Sequence, residues 1–209
     1  MAVVAHRGDD EEEDVVVFTG RRVVVATEGP AAADLLGEAT TTRKPVGTVC
    51  LYFRTDEDPP SDEPILYLNG NDDDGGEEST VVNNCCFPAT VSPTYAPAGQ
   101  TLVSASLVGS FDDKTDEDLA AQVKAELSSW FGAAFVGTWE LLKVYRIPYA
   151  QPNQEPPTDF SSEKEDGGGM GVVYVCGDHT ESATLDGALR SGQRCARRVC
   201  EDLLLRKKE

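Results

Sequence analysis

Val172-Val173-Tyr174-Val175-Cys176-Gly177-Asp178-His179-Thr180-Glu181-Ser182-Ala183-Thr184-Leu185-Asp186-Gly187-Ala188 runs from an apolar segment through a polar loop into a stretch of small residues. Residues 172–176 have the β-branched, aromatic-containing composition of a central strand, and Gly177-Asp178 ends it abruptly. The next regular element is predicted to begin near Asp186, with Ala188, Gly192, Cys195 or Ala196, Val199 and Leu203 on one helical face. Strand, short loop, helix is the order of an open α/β sheet, whose ligands bind beyond the carboxyl ends of the strands and against helix N-termini. Small residues at the helix start let a ligand approach free backbone amides, where the macrodipole favours negative charge. Asp178, just past the strand, is placed to accept hydrogen bonds from ligand hydroxyls. Arg197, Arg198, Arg206, Lys207 and Lys208 lie towards the other end, where cations suit the dipole.

Working outward, residues 15–18 and 23–26 read as two short strands joined by a turn at 19–22, and residues 31–36 as a helical turn or two ending near Gly37. Strands are expected at 46–54, 65–68, 81–87, 102–108 and 139–147. In the fourth of these Val103, Ala105 and Leu107 alternate with Ser104 and Ser106, a strict period of two that marks one dry and one wet face. Thr115 with Asp118 forms an acidic capping box ahead of Leu119, Val123, Leu127 and Trp130, a helical stripe that belongs in a core and stops at Gly132. Residues 150–171, rich in Pro, Ser, Glu and Gly, read as a surface connection.

With 209 residues, of which 40% are hydrophobic and 26% charged, the chain can bury a real core. A net charge of −19 argues against nucleic acid or an anionic membrane surface as a partner. The acidic runs at 9–14, 56–58, 72–74 and 112–118 read as solvated loops and caps. None of the six cysteines makes a Cys-x-x-Cys pair, so no zinc site is expected, and reduced intracellular thiols are the simpler reading. Cys176, Cys195 and Cys200 read as structural, and His179 as a loop histidine without a metal-ligand set. Trp139, Tyr145 and Tyr149 suit either a core or the lining of a substrate cavity. No stretch is long and apolar enough for a membrane span, and residues 1–14 have no signal-peptide pattern, so a soluble polypeptide is expected.

The run from Val173 to Gly192 resembles the C-terminal flavin signature of the FAD-dependent amine oxidase and phytoene desaturase superfamily. Residues 23–32 are similar to the strand and loop by which such proteins leave the nucleotide-binding domain, and residues 145–152 to the segment preceding the last flavin contact. The resemblance implies an α/β fold with a mixed-sheet substrate-binding part and helices. It divides the chain into return strands of the FAD domain at 1–37, a substrate-binding domain at 38–149, a linker at 150–171 and a C-terminal FAD-binding strand and helix at 172–209. It also implies an FAD cofactor, with Gly177 and Asp178 at the ribityl and pyrophosphate region and the backbone of Leu185, Asp186, Gly187 and Ala188 at the pyrimidine end of the flavin. The implied activity is hydride transfer from a small organic substrate to flavin. Plastid residence is implied through desaturase-like relatives only.

Two departures from the family pattern bear on function. No strand followed by Gly-x-Gly-x-x-Gly occurs before Val15, and the glycines at 167–171 precede a strand instead of following one. The chain therefore reads as a C-terminal portion, with weak or absent FAD affinity by itself. The competing expectation is a non-catalytic remnant or interaction module without bound flavin. Thr184 stands where amine oxidases carry an aromatic cage residue, which turns the reading from amines towards desaturase-like chemistry.

Overall fold

The computed structural model describes residues 2–7, 14–37, 45–70, 80–154 and 173–205. The chain divides into two compact units, one built from residues 1–44 and 151–209 and the other from residues 45–150.

The first unit contains β1 (Ala2–Arg7), β2 (Asp14–Thr19), β3 (Val23–Val25) and α1 (Gly29–Leu36) from the N-terminal part. β2 and β3 are the strands expected on either side of the turn, yet they do not pair with each other. β2 pairs antiparallel with β1, a strand the sequence reading missed. β3 instead pairs in parallel with a strand at residues 173–175 near the other end of the chain. A parallel partner cannot be reached through a tight turn, so this pairing needs a long crossover. α1 begins with Pro30 in its first turn, where the missing amide costs nothing, and ends at Gly37 in the left-handed conformation.

The second unit is a five-stranded sheet with helices on one face. Its elements are β4 (Val46–Thr55), β5 (Leu66–Leu68), β6 (Val82–Cys86), β7 (Thr101–Val108), α2 (Asp116–Phe131), α3 (Ala133–Gly137) and β8 (Glu140–Gln151). The strand order is β5-β6-β7-β4-β8. Antiparallel pairing of β4 with β7 sets Leu51 opposite Ala105 and Phe53 opposite Val103. The odd-numbered residues of both strands therefore share the helix-covered face. Val49, Leu51, Phe53, Val103, Ala105 and Leu107 are fully buried there against Leu119, Val123 and Leu127 of α2. Burial of each large side chain is worth about 1.5–3 kcal/mol. Trp130, expected in the same stripe, is only partly buried at its edge. An aromatic cluster of Tyr67, Phe87, Phe131, Phe135 and Trp139 closes the end of this core, with Tyr67 and Phe131 edge-to-face at 4.9 Å. Trp139 lies just ahead of β8 and belongs to the core.

Capping and polar closure follow the sequence closely in α2. Thr115 Oγ1 accepts from the amide of Asp118 at 3.1 Å and donates to its carboxylate at 2.9 Å. Glu126 reaches from α2 to the start of β6 and accepts the amides of Val81 at 2.8 Å and Val82 at 3.2 Å. Arg146 of β8 gathers the carbonyls of Phe111 and Lys114 and the carboxylate of Asp116. Asp116 and Asp118 are thus working groups of the helix start and not merely solvated charge. Of the other acidic runs, 56–58 is exposed, whereas 72–74 and most of 9–14 lie outside the described residues.

The C-terminal part of the first unit supplies β9 (Val173–Val175) and α4 (Leu185–Leu205). The expected α/β class, with mixed parallel and antiparallel pairing, is what the molecule has. Two details of this region differ from, or sharpen, the expectation. β8 runs on to Gln151, so the connection expected from residue 150 starts later, and residues 155–172 lie outside the described residues. On α4 Cys195, not Ala196, is the buried choice. Arg206, Lys207 and Lys208 also lie outside the described residues.

Candidate functional site

The polar loop between β9 and α4 is organised by the ladder that precedes it. Val23, Val24 and Val25 pair with Val173, Tyr174 and Val175, and the amide of Cys176 donates to Val25 O at 2.9 Å. The chain then turns at Gly177, with φ +156° and ψ 170°, a backbone region that is essentially glycine's alone. A Cβ at this position would come within 2.5 Å of Nδ1 and Cε1 of His179. A 3-10 turn over Asp178–Thr180 follows, closed by Thr180 N and Glu181 N bonding back to Gly177 O and Asp178 O, both at 3.1 Å.

α4 enters from the other side. Thr184 is its cap: the hydroxyl accepts the amide of Gly187 at 2.9 Å, and the carbonyl accepts the amide of Ala188 at 3.0 Å. The amides of Leu185 and Asp186, at the first two helical positions, have no intrahelical carbonyl to bond. Gly187 is required by contact, because a Cβ there would lie 2.0 Å from Ser182 O. Ser191, one turn on and 2% exposed, ties the two halves together. Its Oγ accepts the amide of Gly177 at 2.9 Å and donates to Ala188 O at 3.0 Å. One buried hydroxyl therefore brings the sequence-predicted Gly177 and Asp178 to the same corner as Leu185, Asp186, Gly187 and Ala188. The side chain of Asp186 does not face inward; it pairs with Arg190 at 2.8 Å on the surface.

Three supporting residues escaped the sequence reading. Gln154 clamps the loop, donating to Glu181 O at 3.0 Å and accepting from Ala183 N at 2.7 Å. Arg194 of α4 pairs with Glu181 and donates to Thr180 O at 3.2 Å. Ser191 could have been picked out, since it lies between Ala188 and Cys195 on the small-residue face. Gln154 carries no local signal. Below the loop, Tyr174 bonds Asp202 of α4 and accepts from Arg22 Nε at 3.3 Å, which fastens the far end of the helix to the strand pair. Burial pushes the Tyr174 phenol up from its ordinary range.

Asp178 and His179 are the side chains with chemistry at this corner. His179 Nδ1 lies 3.8 Å from Asp178 Oδ1, too far for a hydrogen bond. Both ring nitrogens of His179 are buried with no hydrogen-bond partner among the described residues. Burial lowers the imidazole pKa, against the opposing pull of the Asp178 carboxylate. An acceptor carboxylate, an unpartnered imidazole and the first amides of a helix fit a ligand rich in hydroxyls and carrying an anionic portion, as a flavin nucleotide is. Among the described residues no group of three or more His, Cys, Asp or Glu is arranged to hold a metal ion. No described helix is long and apolar enough to cross a membrane.

The sequence profile described as flavin containing amine oxidoreductase matches residues 5–200. The chain belongs to that family. The chain shares its fold, at low identity, with several solved structures. One is a protein from Pyrococcus furiosus, at 13% identity and TM-score 0.55, covering 88% of this chain and 41% of that one. A second is an oxidoreductase from Methanosarcina mazei, at 13% and 0.53, covering 88% and 45%. A third is an Exiguobacterium sp. 255-15 protein described as a "Putative protoporphyrinogen oxidase", at 14% and 0.56, covering 96% and 45%. The chain thus spans less than half the length of each. No curated protein matches it.

The second unit offers a concavity of its own, on the sheet face opposite the helices. A cavity of 570 Å³ is lined by Cys50, Tyr52, Leu102, Leu142, Lys143, Tyr145 and Ile147. Tyr52 and Tyr145 meet edge-to-face at 5.9 Å in its floor. Of the three aromatic residues left open between core and cavity, Tyr145 lines this space and Trp139 is core. Tyr149 is half-buried outside the lining. Cys50 lies 3.5 Å from Ser104 on the same face, whereas Cys85 faces the core, where burial pushes its thiol up to about 12.

Proposed function

We propose that this chain is the C-terminal portion of an FAD-dependent oxidoreductase that moves a hydride from a small organic substrate to flavin. The observation that carries the reading is the corner where β9, Gly177-Asp178 and the start of α4 meet, held by the Ser191 hydroxyl. Gly177 and Asp178 take the ribityl and pyrophosphate region, Asp178 accepting hydrogen bonds from the ribityl hydroxyls. The backbone at Leu185, Asp186, Gly187 and Ala188 faces the pyrimidine end, where the helix dipole and the amides of Leu185 and Asp186, which have no intrahelical acceptor, stabilise negative charge. The bound flavin supplies the hydride acceptor. Residues 1–37 and 172–209 belong, in this reading, to the FAD-binding part and residues 38–149 to the substrate-binding part. The 570 Å³ cavity is of a size that accepts an organic molecule. Thr184 supports a desaturase-like over an amine substrate, since its side chain is occupied in capping α4 and supplies no aromatic surface.

The test is FAD titration of the purified chain, followed by quenching of flavin fluorescence. Saturable quenching removed by Asp178→Ala is the expected result. A chain shown to be folded by circular dichroism that gives no saturation would refute flavin binding by this polypeptide and leave it a non-catalytic module.

A further inference from the structure

We infer that His179 hydrogen-bonds a ribityl hydroxyl of the bound flavin, forming with Asp178 a two-residue reader of the cofactor's polyol chain. The inference rests on the flavin-binding reading and assigns a role to a side chain which that reading leaves idle.

A neutral imidazole carries one donor and one acceptor, and both of its nitrogens are buried here without partners among the described residues. Leaving such a group without a partner is costly, and native proteins keep such groups where a ligand or ordered water completes them. The ring cannot relieve itself by swinging towards Gly177. It already lies against that Cα, on the side where any other residue would carry a Cβ, 2.5 Å from Nδ1. Nor does it bond Asp178, whose Oδ1 stands 3.8 Å away. That carboxylate still biases the tautomer: a proton on Nδ1 faces the negative oxygen, and Nε2 is left as an acceptor.

The ligand chemistry follows from this pairing. Two adjacent acceptors, the Asp178 carboxylate and His179 Nε2, suit a row of hydroxyl donors. The carboxylate repels a phosphate, so within the ribityl and pyrophosphate region these two side chains take the hydroxyl part. Of the parts of a flavin nucleotide, the ribityl chain is the row of hydroxyls.

The experiment compares riboflavin, which has the ribityl chain, with lumiflavin, which has the same ring system and a methyl group in its place. Dissociation constants are read by fluorescence quenching for the wild type, His179→Phe and His179→Asn. His179→Phe is expected to weaken riboflavin about tenfold, the factor set by 1.4 kcal/mol of hydrogen bonding. It should leave lumiflavin unchanged, and His179→Asn, which keeps an acceptor, should recover most of the riboflavin affinity. A ¹⁵N spectrum, in which only two histidines contribute, should show one imidazole shifting with riboflavin and not with lumiflavin. Equal affinity of wild type and His179→Phe for riboflavin would overturn the inference and leave the flavin reading standing. Equal loss for both ligands would overturn it too, since it would mark a packing role. A wild type that binds neither riboflavin nor FAD would overturn both readings together.

Discussion

Ser191→Ala isolates the joint on which the candidate site depends. The hydroxyl is 2% exposed and accepts the Gly177 amide at 2.9 Å while donating to Ala188 O at 3.0 Å. Its removal leaves a buried N–H without an acceptor, at about 1–3 kcal/mol. Ala188 O loses less, because a carbonyl in a helix keeps its backbone partner. Alanine returns roughly 0.5 kcal/mol through its better helix propensity. The net expectation is a loss of about 1–2 kcal/mol, confined to the first unit. Hydrogen exchange followed by mass spectrometry on peptides spanning residues 173–180 reads it directly, since 1–2 kcal/mol quickens exchange of the Gly177 amide by roughly 5–30-fold. Both tryptophans, Trp130 and Trp139, lie in the second unit, so the urea midpoint seen by tryptophan fluorescence should not move. Unchanged protection at Gly177, or a shifted tryptophan midpoint with no change at Gly177, would refute the account of Ser191 as the link between strand end and helix.

Other expectations are equally concrete. Gly187→Ala sets a methyl 2.0 Å from Ser182 O, and the strain of about 1–3 kcal/mol exceeds the ~1 kcal/mol alanine gains over glycine in a helix. Exchange in residues 181–190 should quicken, and an unperturbed pattern would show that the loop yields freely. Glu126→Ala removes the acceptor of two amides at the start of β6 and should cost about 2 kcal/mol in the tryptophan-reported unfolding of the second unit. A change under about 0.5 kcal/mol would mean water replaces the carboxylate. With its thiol pushed up to about 12 by burial, Cys85 should resist alkylation in the native chain while exposed Cys200 reacts first. Early labelling of Cys85 would contradict its place in the core.

Where local chemistry and tertiary structure agreed, the fold was legible. Thr115 and Asp118 announced a cap, and in the structure the Thr115 hydroxyl accepts the Asp118 amide and donates to the Asp118 carboxylate. Val103, Ala105 and Leu107 alternated with serines, and the sheet buries that face fully. What the sequence concealed was partnership over distance. Nothing in Val23-Val24-Val25 says that its partner is Val173-Tyr174-Val175 and not the strand just before it, because period and propensity describe one strand at a time. The five-residue α3 is too short to show a helical period. At the candidate site, the turn at Gly177 and the small start of α4 could be seen in advance. Gln154 could not, since its two bonds to the loop arise only when a segment about 30 residues upstream folds against it.

The parallel pairing of Val23 with Val173 has a consequence for how the chain is made. At about 5–20 residues per second, a ribosome needs roughly 7 to 30 seconds between releasing β3 and releasing β9. For that interval β3 lacks β9, its partner strand among the described residues, and an unpaired strand edge is the kind of segment that recruits other chains. The residues synthesised meanwhile, 45–150, form the second unit and hold their own core, so they can fold without waiting. A nascent-chain binding chaperone is therefore expected on the segment around β3 until β9 emerges.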